Sequence, residues 1–530
     1  MKIIYTFIFL FASIIAIAQN DSKLSTSIKF DEVISYVNRM YVDDVNAEEL
    51  TNTAIVAMLE KLDPHSTFIS KDEVDNANEK INGNFVGVGI RFQILKDTLH
   101  VVSTIPGGPS EKIGLLAGDQ IIRVADTLIA GIGLKNSDVR GKLLGDKGTK
   151  VLVSVKRGKS PDLINFTITR DVIPVHSVDA AYMVTSSTGY IKLNSFSRTS
   201  LEEVQEGMKK LKKEGMKNLI LDLQGNGGGL LYTAKHIADE FLSGNKLIVY
   251  SEGRAQPRID LNSETKGMFE TGKLILLTDE YSASASEILS GAIQDWDRGL
   301  IVGRRTYGKG LVQRPIDLSD GSQIRLTIAR YYTPSGRFIQ KPYEDVESYR
   351  SDILDRYEHG EFMSQDSINF PDSLKRATLL KKRTVFSGGG IMPDYFVPLD
   401  TNGTSPYFSS IVRGGHINRY SLTYVNENRA SIEKKYPKFE NFKDKFEIDK
   451  EFMDQFFAYL AIEDPELEFN EKDYETSENL LKLQFKAMLA QDIWGYSEFY
   501  QIYNESNEIL QKAIEIIESS EYDKANLSNI

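Results

Sequence analysis

The chain has 530 residues, enough for several domains, and its 41% hydrophobic and 26% charged content is that of a folded globular protein. A formal charge of −12 speaks against a general nucleic-acid binder, which needs a basic face. Zero cysteines exclude disulfides, an acylated N-terminal Cys, thiol catalysis and Cys-ligated zinc.

In chain order, the first element is an export signal. Lys2 is its positive end, "IIYTFIFLFASIIAI" its apolar core, and Ala16-Ile17-Ala18 a small-x-small cleavage site before Gln19. The apolar run is short for a membrane span, which takes about 20 residues. The expected location is therefore exported, periplasmic, with inner-membrane association only if this segment is retained. Residues 19–82 form a helical N-terminal region, with "FDEVISYVNRMYV" and "AEELTNTAIVAMLEKL" apolar at three- and four-residue spacing and "LDPHS" (62–66) a Pro-marked turn.

From Gly83 the texture changes to short strands and glycine turns. "FVGVGIRFQI", "TLHVVSTI", "GDQIIRVADTLI", "KVLVSVKRG" and "INFTITR", with helices at "SEKIGL" and "NSDVRGKLLG", make a compact β-rich module over 83–172.

Residues 173–399 alternate strand and helix as an α/β core. "NLILDL" leads into the glycine loop "QGNGGG" and the helix "LLYTAKHIADEFL". "KLILLTD" leads to a helix over 284–296 whose Ile288, Leu289, Ala292, Ile293 and Trp296 face inward. "GLIVGRR", "VQRPIDL" and "SQIRLTIARYYTP" are strands, about 341–386 is a charged insertion, and "GGGIMPD" (388–394) returns the chain to the core. Residues 400–530 are expected to form a helical C-terminal domain.

Three junctions of the core could carry chemistry. Bare amides of "GNGGG" (225–229) at a helix start can cradle an anion, or the loop is a turn needing positive φ. Ser284, with Glu287 three residues on, fits a capping box; it also fits a nucleophile at the positive end of a helix dipole, with the Ala285 amide beside it. Ser282 is the fallback nucleophile. "GRRTYGKGLVQ" (303–313) imitates a P-loop, but Gly310 stands where Ser or Thr should hold Mg²⁺, and a strand follows. Lys309 is then either an exposed turn lysine or, if desolvated, a general base. The six histidines show no HExxH spacing, so no metal or other cofactor is expected. His236 lies off the apolar stripe of its helix, and His65 and His176 adjoin Pro or strand signals, so a Ser–Lys pair is the simpler mechanism.

Together, "SASASEI" (282–288), "YGKGLVQ" (307–313), "LDLQGNGGG", "LDPHS", "RYYTPSGR" and "GGGIMPD" resemble the C-terminal processing peptidases, tail-specific serine peptidases with a Ser/Lys dyad. The resemblance runs from about 30 to 395. It implies a multidomain α/β architecture: a helical N-terminal segment, a PDZ-like β-rich module, an α/β (crotonase/Clp-like) serine peptidase core and a helical C-terminal region. It implies Ser284 as nucleophile, Lys309 as base, Gln313 orienting the lysine, Gly228 and the Ala285 amide as the oxyanion hole, and Asp295 as a structural acid. In the PDZ module, Gly87, Val88, Gly89 and Ile90 would hold a chain-terminal carboxylate, and the helix at about 136–144 would form the other groove wall. Gln224 and Gly227 depart from the usual Arg and Pro of the glycine loop.

The expected activity is an exported endopeptidase that cleaves proteins near unstructured C-terminal tails. Its expected partners are those tails, with an adaptor or activator protein and a second copy of the chain also admitted, and no nucleic acid. The rivals are a non-catalytic PDZ adaptor delivering tails to another protease, and an esterase or amidase using the same dyad on small substrates.

Overall fold

The computed structural model describes residues 25–105, 107–158, 160–525 and 527; the expected signal segment, 1–18, lies outside them. Among the described residues no helix is long and apolar enough to cross a membrane. They divide into two compact units.

The first unit takes the chain up to Asp75 together with Gln313–Ile328. Helices form at 25–40 and Ala47–Glu60, the second capped by Asn46, whose side chain accepts from the Glu48 and Glu49 amides. The "LDPHS" turn is tied by one carboxylate. Asp63 Oδ1 accepts from the His65 and Ser66 amides, each at 2.8 Å, and Oδ2 accepts the Ser66 hydroxyl at 2.7 Å. Thr67–Ile69 is a strand, not the helix expected of this region, because it pairs antiparallel with the strand that starts at Gln323.

The second unit, Asn76–Val312 with Ala329–Ile530, holds three cores. In the first, five strands lie side by side in the order Ile90–Leu95, Thr98–Thr104, Gln120–Val124, Lys150–Lys156 and Leu163–Thr169. Val139 and Leu143 of the helix Asn136–Leu143 join Leu99, Val101, Ile121 and Val153 beneath that sheet.

The second core surrounds a six-stranded sheet. Val178–Met183 runs antiparallel to Thr188–Leu193; Asn218–Asp222, Leu274–Thr278, Leu300–Gly303 and Tyr395–Phe396 then follow in parallel. Its strands are apolar on both sides, as a sheet covered on both faces requires. Leu219, Leu221, Leu274, Leu276 and Ile301 meet the helices Ser200–Lys213, Leu231–Asp239 and Ala285–Asp295. Ile220, Ile275, Leu277, Leu300 and Val302 point the other way, onto Ile509, Leu510, Ala513, Ile516 and Ile517.

Those five residues belong to the helix Glu508–Glu518, which corrects the expected boundary at 400. Only part of the C-terminal region has a core of its own, an aromatic cluster around Tyr420, Phe452, Phe456 and Phe485. The helix Glu508–Glu518 thus covers the second face of the six-stranded sheet. The charged insertion at about 341–386 carries the helix Val346–Glu358 and a hairpin whose Arg383 pairs with Asp297 at 2.7 Å.

Candidate active site

Asn218–Asp222, Leu274–Thr278 and Leu300–Gly303 are neighbouring parallel strands, so their carboxyl ends open on one edge of the sheet. The glycine loop leaves the first, the serine turn the second and the "YGKG" loop the third. The carboxyl edge of an α/β sheet is where such folds place their sites.

The three alternate serines have different fates. Ser282 is fully buried and donates to the Leu223 carbonyl at 2.8 Å, and Ser286, also fully buried, donates to the Asn226 carbonyl at 2.8 Å. Both therefore stitch the serine turn to the glycine loop, which removes Ser282 as the fallback nucleophile. Ser284 alone stays partly exposed, with φ 55° and ψ −111°. That left-handed backbone costs a non-glycine residue on the order of 1–3 kcal/mol and persists only where surroundings enforce it.

The cap reading of Ser284 is half met. Its N–H donates to Glu287 Oε2 at 2.8 Å, the glutamate side of a capping box. The Glu287 amide, however, donates to the Ser284 carbonyl at 2.9 Å, and the Ile288 amide reaches the same oxygen at 3.0 Å. The orphan amide a serine cap would serve is thus already served, which leaves the hydroxyl available for other work.

Glu287 has a second task that sequence reasoning missed. Its Oε1 accepts from the Thr306 hydroxyl at 2.6 Å and the Gly308 amide at 2.7 Å, and Oε2 accepts from the Lys309 amide at 2.9 Å. One fully buried carboxylate therefore holds the backbones of Ser284 and Lys309 together. Burial holds its pKa above the usual carboxylate value, although the four donors act in the opposite direction. Tyr331, 1% exposed, repeats the link, its hydroxyl lying 3.1 Å from the Ser284 carbonyl and 2.6 Å from that of Lys309. The spacing of Ser284 to Glu287 advertised only a cap, and nothing in the sequence points Tyr331 at either residue.

Glu287→Gln should lower kcat by roughly a hundredfold, since the amide must turn a donor toward a neighbour that is itself a donor. A thermal melt beside the rate would show whether folding alone explains the loss; a variant as active as wild type would mean the clamp is ornamental.

Lys309 is partly buried, between Gly308 (φ +88°) and buried Leu311. Tyr307 beside it is half-buried, its ring 4.0 Å from the Lys341 ammonium. His236 is exposed and the His176 side chain is 67% exposed, so neither is held as a catalytic imidazole would be.

Gly228 meets the serine turn face to face. At φ +101°, an added Cβ would lie 2.7 Å from the Ala283 carbonyl oxygen, 2.8 Å from Ser284 Cβ and 2.9 Å from the Ala285 nitrogen. The two expected oxyanion donors differ in state. The Ala285 amide, first in its helix, donates to no acceptor among the described residues, whereas the Gly228 amide donates to Asn226 Oδ1 at 2.9 Å. Asn226, itself fully buried, ties the loop down through Nδ2 to the Leu193 carbonyl at 2.8 Å and accepts the Ala283 amide at 3.0 Å.

Gln313 lies in the first unit, where its Nε2 donates to Thr327 Oγ1 at 3.3 Å; that hydroxyl reaches Asp63 of the "LDPHS" turn at 3.1 Å. Asp295 is a buried structural acid, paired with Arg337 at 2.6 Å and accepting from Ser335.

In the β-rich module, Gly87 ends the strand Asn84–Gly87, Val88 is 3% exposed, Gly89 has φ +74° and Ile90 opens the strand Ile90–Leu95. That strand is the edge of its sheet, paired on one side only among the described residues. Its Ile90, Phe92 and Ile94 pack toward the core that Val139 and Leu143 complete.

A family model described as Peptidase family S41 matches residues 187–348, and one described as a family of unknown function, DUF8443, matches 407–495. The chain is 33% identical over 315 residues to a probable CtpA-like serine protease of Staphylococcus aureus (strain MRSA252), covering 59% of this chain and 62% of that protein. It thus spans just over three-fifths of such relatives' length. It is 33% identical over 344 residues to the carboxy-terminal-processing protease of Bartonella bacilliformis (strain ATCC 35685 / KC583 / Herrer 020/F12,63), covering 63% of this chain and 78% of that one. Among solved structures it is similar to a photosystem II D1 C-terminal processing protease, at 26% identity over 70% of this chain and 92% of that chain, with a TM-score of 0.35.

Proposed function

Since the chain belongs to the carboxy-terminal-processing protease family of S41 serine peptidases, we propose that it is an exported endopeptidase that cleaves proteins near unstructured C-terminal tails, with Ser284 as nucleophile and Lys309 as general base. The observation that carries this reading is the double clamp of Glu287 and Tyr331 on the backbones of Ser284 and Lys309. A clamp of that kind has a purpose if the two side chains must work as a pair.

In this mechanism the neutral Lys309 amine takes the proton from Ser284 Oγ as it attacks the scissile carbonyl. The resulting ammonium returns the proton to the leaving amine, and the acyl-enzyme is hydrolysed by a water that the same amine deprotonates. The helix start at Ala285 offers its amide and the positive end of the dipole to the developing oxyanion. The Gly228 amide becomes the second donor once it turns from Asn226 to the substrate.

The β-rich module is the tail receptor. An extended peptide can add to the open edge at Ile90–Leu95, with its terminal carboxylate at the Gly87–Ile90 turn, in the manner of a PDZ domain. The apolar run with its small-x-small site at 16–18 supports export to the periplasm.

Tail recognition is tested with two unfolded substrates identical except that one ends in a free carboxylate and the other in an amide. The amide should raise KM about tenfold or more with little change in kcat. Equal cleavage of the two would remove the module as a reader of chain ends.

A further inference from the structure

Beneath the glycine loop lies a buried polar layer whose far side is closed by residues well outside the S41 match. Lys192 and Asp222, with side chains 5% and 1% exposed, pair at 3.2 Å at the ends of adjacent strands. The Lys192 ammonium also donates to the Gln224 carbonyl at 2.5 Å, and Asp222 Oδ1 accepts the Gln224 amide at 2.7 Å. The residue that opens the glycine loop is therefore held by both backbone groups. Asp222 Oδ2 accepts from Tyr190 at 2.6 Å, and the Tyr190 ring packs on Tyr182 with centroids 5.2 Å apart.

From there the layer passes to the C-terminal region. Asn504, 4% exposed, donates from Nδ2 to the Tyr182 hydroxyl at 2.8 Å, and that hydroxyl reaches the Tyr500 carbonyl at 3.3 Å. Asn507 Nδ2 donates to Asn504 Oδ1 at 3.2 Å, and Asn507 Oδ1 is reached by Gln224 Nε2 at 3.4 Å. Asn507 also caps the helix Glu508–Glu518, accepting the Leu510 amide at 3.1 Å, and that helix is anchored on the sheet by its apolar face. A rigid, sheet-bound helix start thus presents an amide side chain to the first residue of the loop that carries Gly228.

We infer that Asn507 and Asn504 are positioning residues of the peptidase site: through Gln224 and the Tyr182–Tyr190–Asp222 contacts they set the glycine loop against Ser284. The inference rests on the peptidase reading of Ser284. It gives the C-terminal segment a role in turnover beyond covering the sheet. The Gln224 side chain is met by the C-terminal region through its Nε2 alone, since its buried Oε1 has no hydrogen-bond partner among the described residues.

The test compares Asn507→Ser with Asn507→Asp in the full chain. Both keep a helix-capping oxygen, but the serine is too short to meet Gln224, whereas aspartate still offers it an acceptor. Asn507→Ser should lower kcat about tenfold, with KM and melting temperature close to wild type, and Asn507→Asp should stay within threefold. Hydrogen exchange at the 224–229 amides, which needs no activity, should quicken in the serine variant alone. Unchanged exchange and unchanged kcat in Asn507→Ser would overturn the inference, as would equal losses in both variants that follow their melting temperatures. If wild type cleaves nothing, the peptidase reading fails, while the exchange result still decides whether Asn507 holds the loop.

Discussion

Ser284→Ala should fold, bind a tail peptide as wild type does, and lose on the order of 10⁴-fold or more in kcat. The structure separates the two roles the sequence left open for this serine. Its backbone shapes the turn: the N–H goes to Glu287, the carbonyl accepts the Glu287 and Ile288 amides, and Tyr331 reaches the same carbonyl. Its hydroxyl is not needed for any of these, so alanine should change stability by no more than about 1 kcal/mol. Ser284→Gly makes the point from the other side. At φ 55° glycine relieves strain that serine bears, so this variant should melt above wild type while being equally inactive. A rise in stability accompanying total loss of activity is the signature of a residue kept for chemistry. A Ser284→Ala protein that cleaves at the wild-type rate would leave only the cap.

Gly228→Ala should be nearly as damaging, with a loss of at least about a hundredfold in kcat/KM and on the order of 2–4 kcal/mol of stability. The new methyl would enter a gap bounded within 2.9 Å by the Ala283 carbonyl, Ser284 Cβ and the Ala285 amide, at a backbone angle that L-residues rarely adopt. Relief requires the glycine loop to move off the serine turn, which displaces an oxyanion donor and disturbs the nucleophile together. Gly227→Ala is the internal control, because an added Cβ there meets nothing within 4 Å. If the two alanine variants behave alike, close approach of loop and turn is not what the site depends on.

The parts of this arrangement that were legible in the sequence are those written locally. Ile288, Leu289, Ala292 and Ile293 repeat at helical spacing, and they do join the core, although the whole helix Ala285–Asp295 proves buried. "NLILDL" and "KLILLTD" read as buried strands, and the motifs that follow them fall at their carboxyl ends because parallel strands must end on one edge. What stayed hidden depends on partners distant in sequence. The pattern of "NEILQKAIEIIES" declared an apolar helix face but could not say that the face covers the peptidase sheet. Glu287 looked complete as a cap because its second set of donors, Thr306, Gly308 and Lys309, arrives on the loop that follows a different strand. The division of labour among Ser282, Ser284 and Ser286 is likewise set by the Leu223 and Asn226 carbonyls, which no spacing rule connects to them.

The nucleophile is proposed to be one serine, bent into an unfavourable backbone angle, whose backbone shares the partners Glu287 and Tyr331 with that of Lys309. Labelling with a serine-reactive fluorophosphonate, followed by mapping of the modified peptide, tests it most directly. Label on Ser284 in wild type, absent in Ser284→Ala and reduced at least about tenfold in Lys309→Ala, is the expected result. Label on another serine, or full labelling of Ser284 without Lys309, would contradict it.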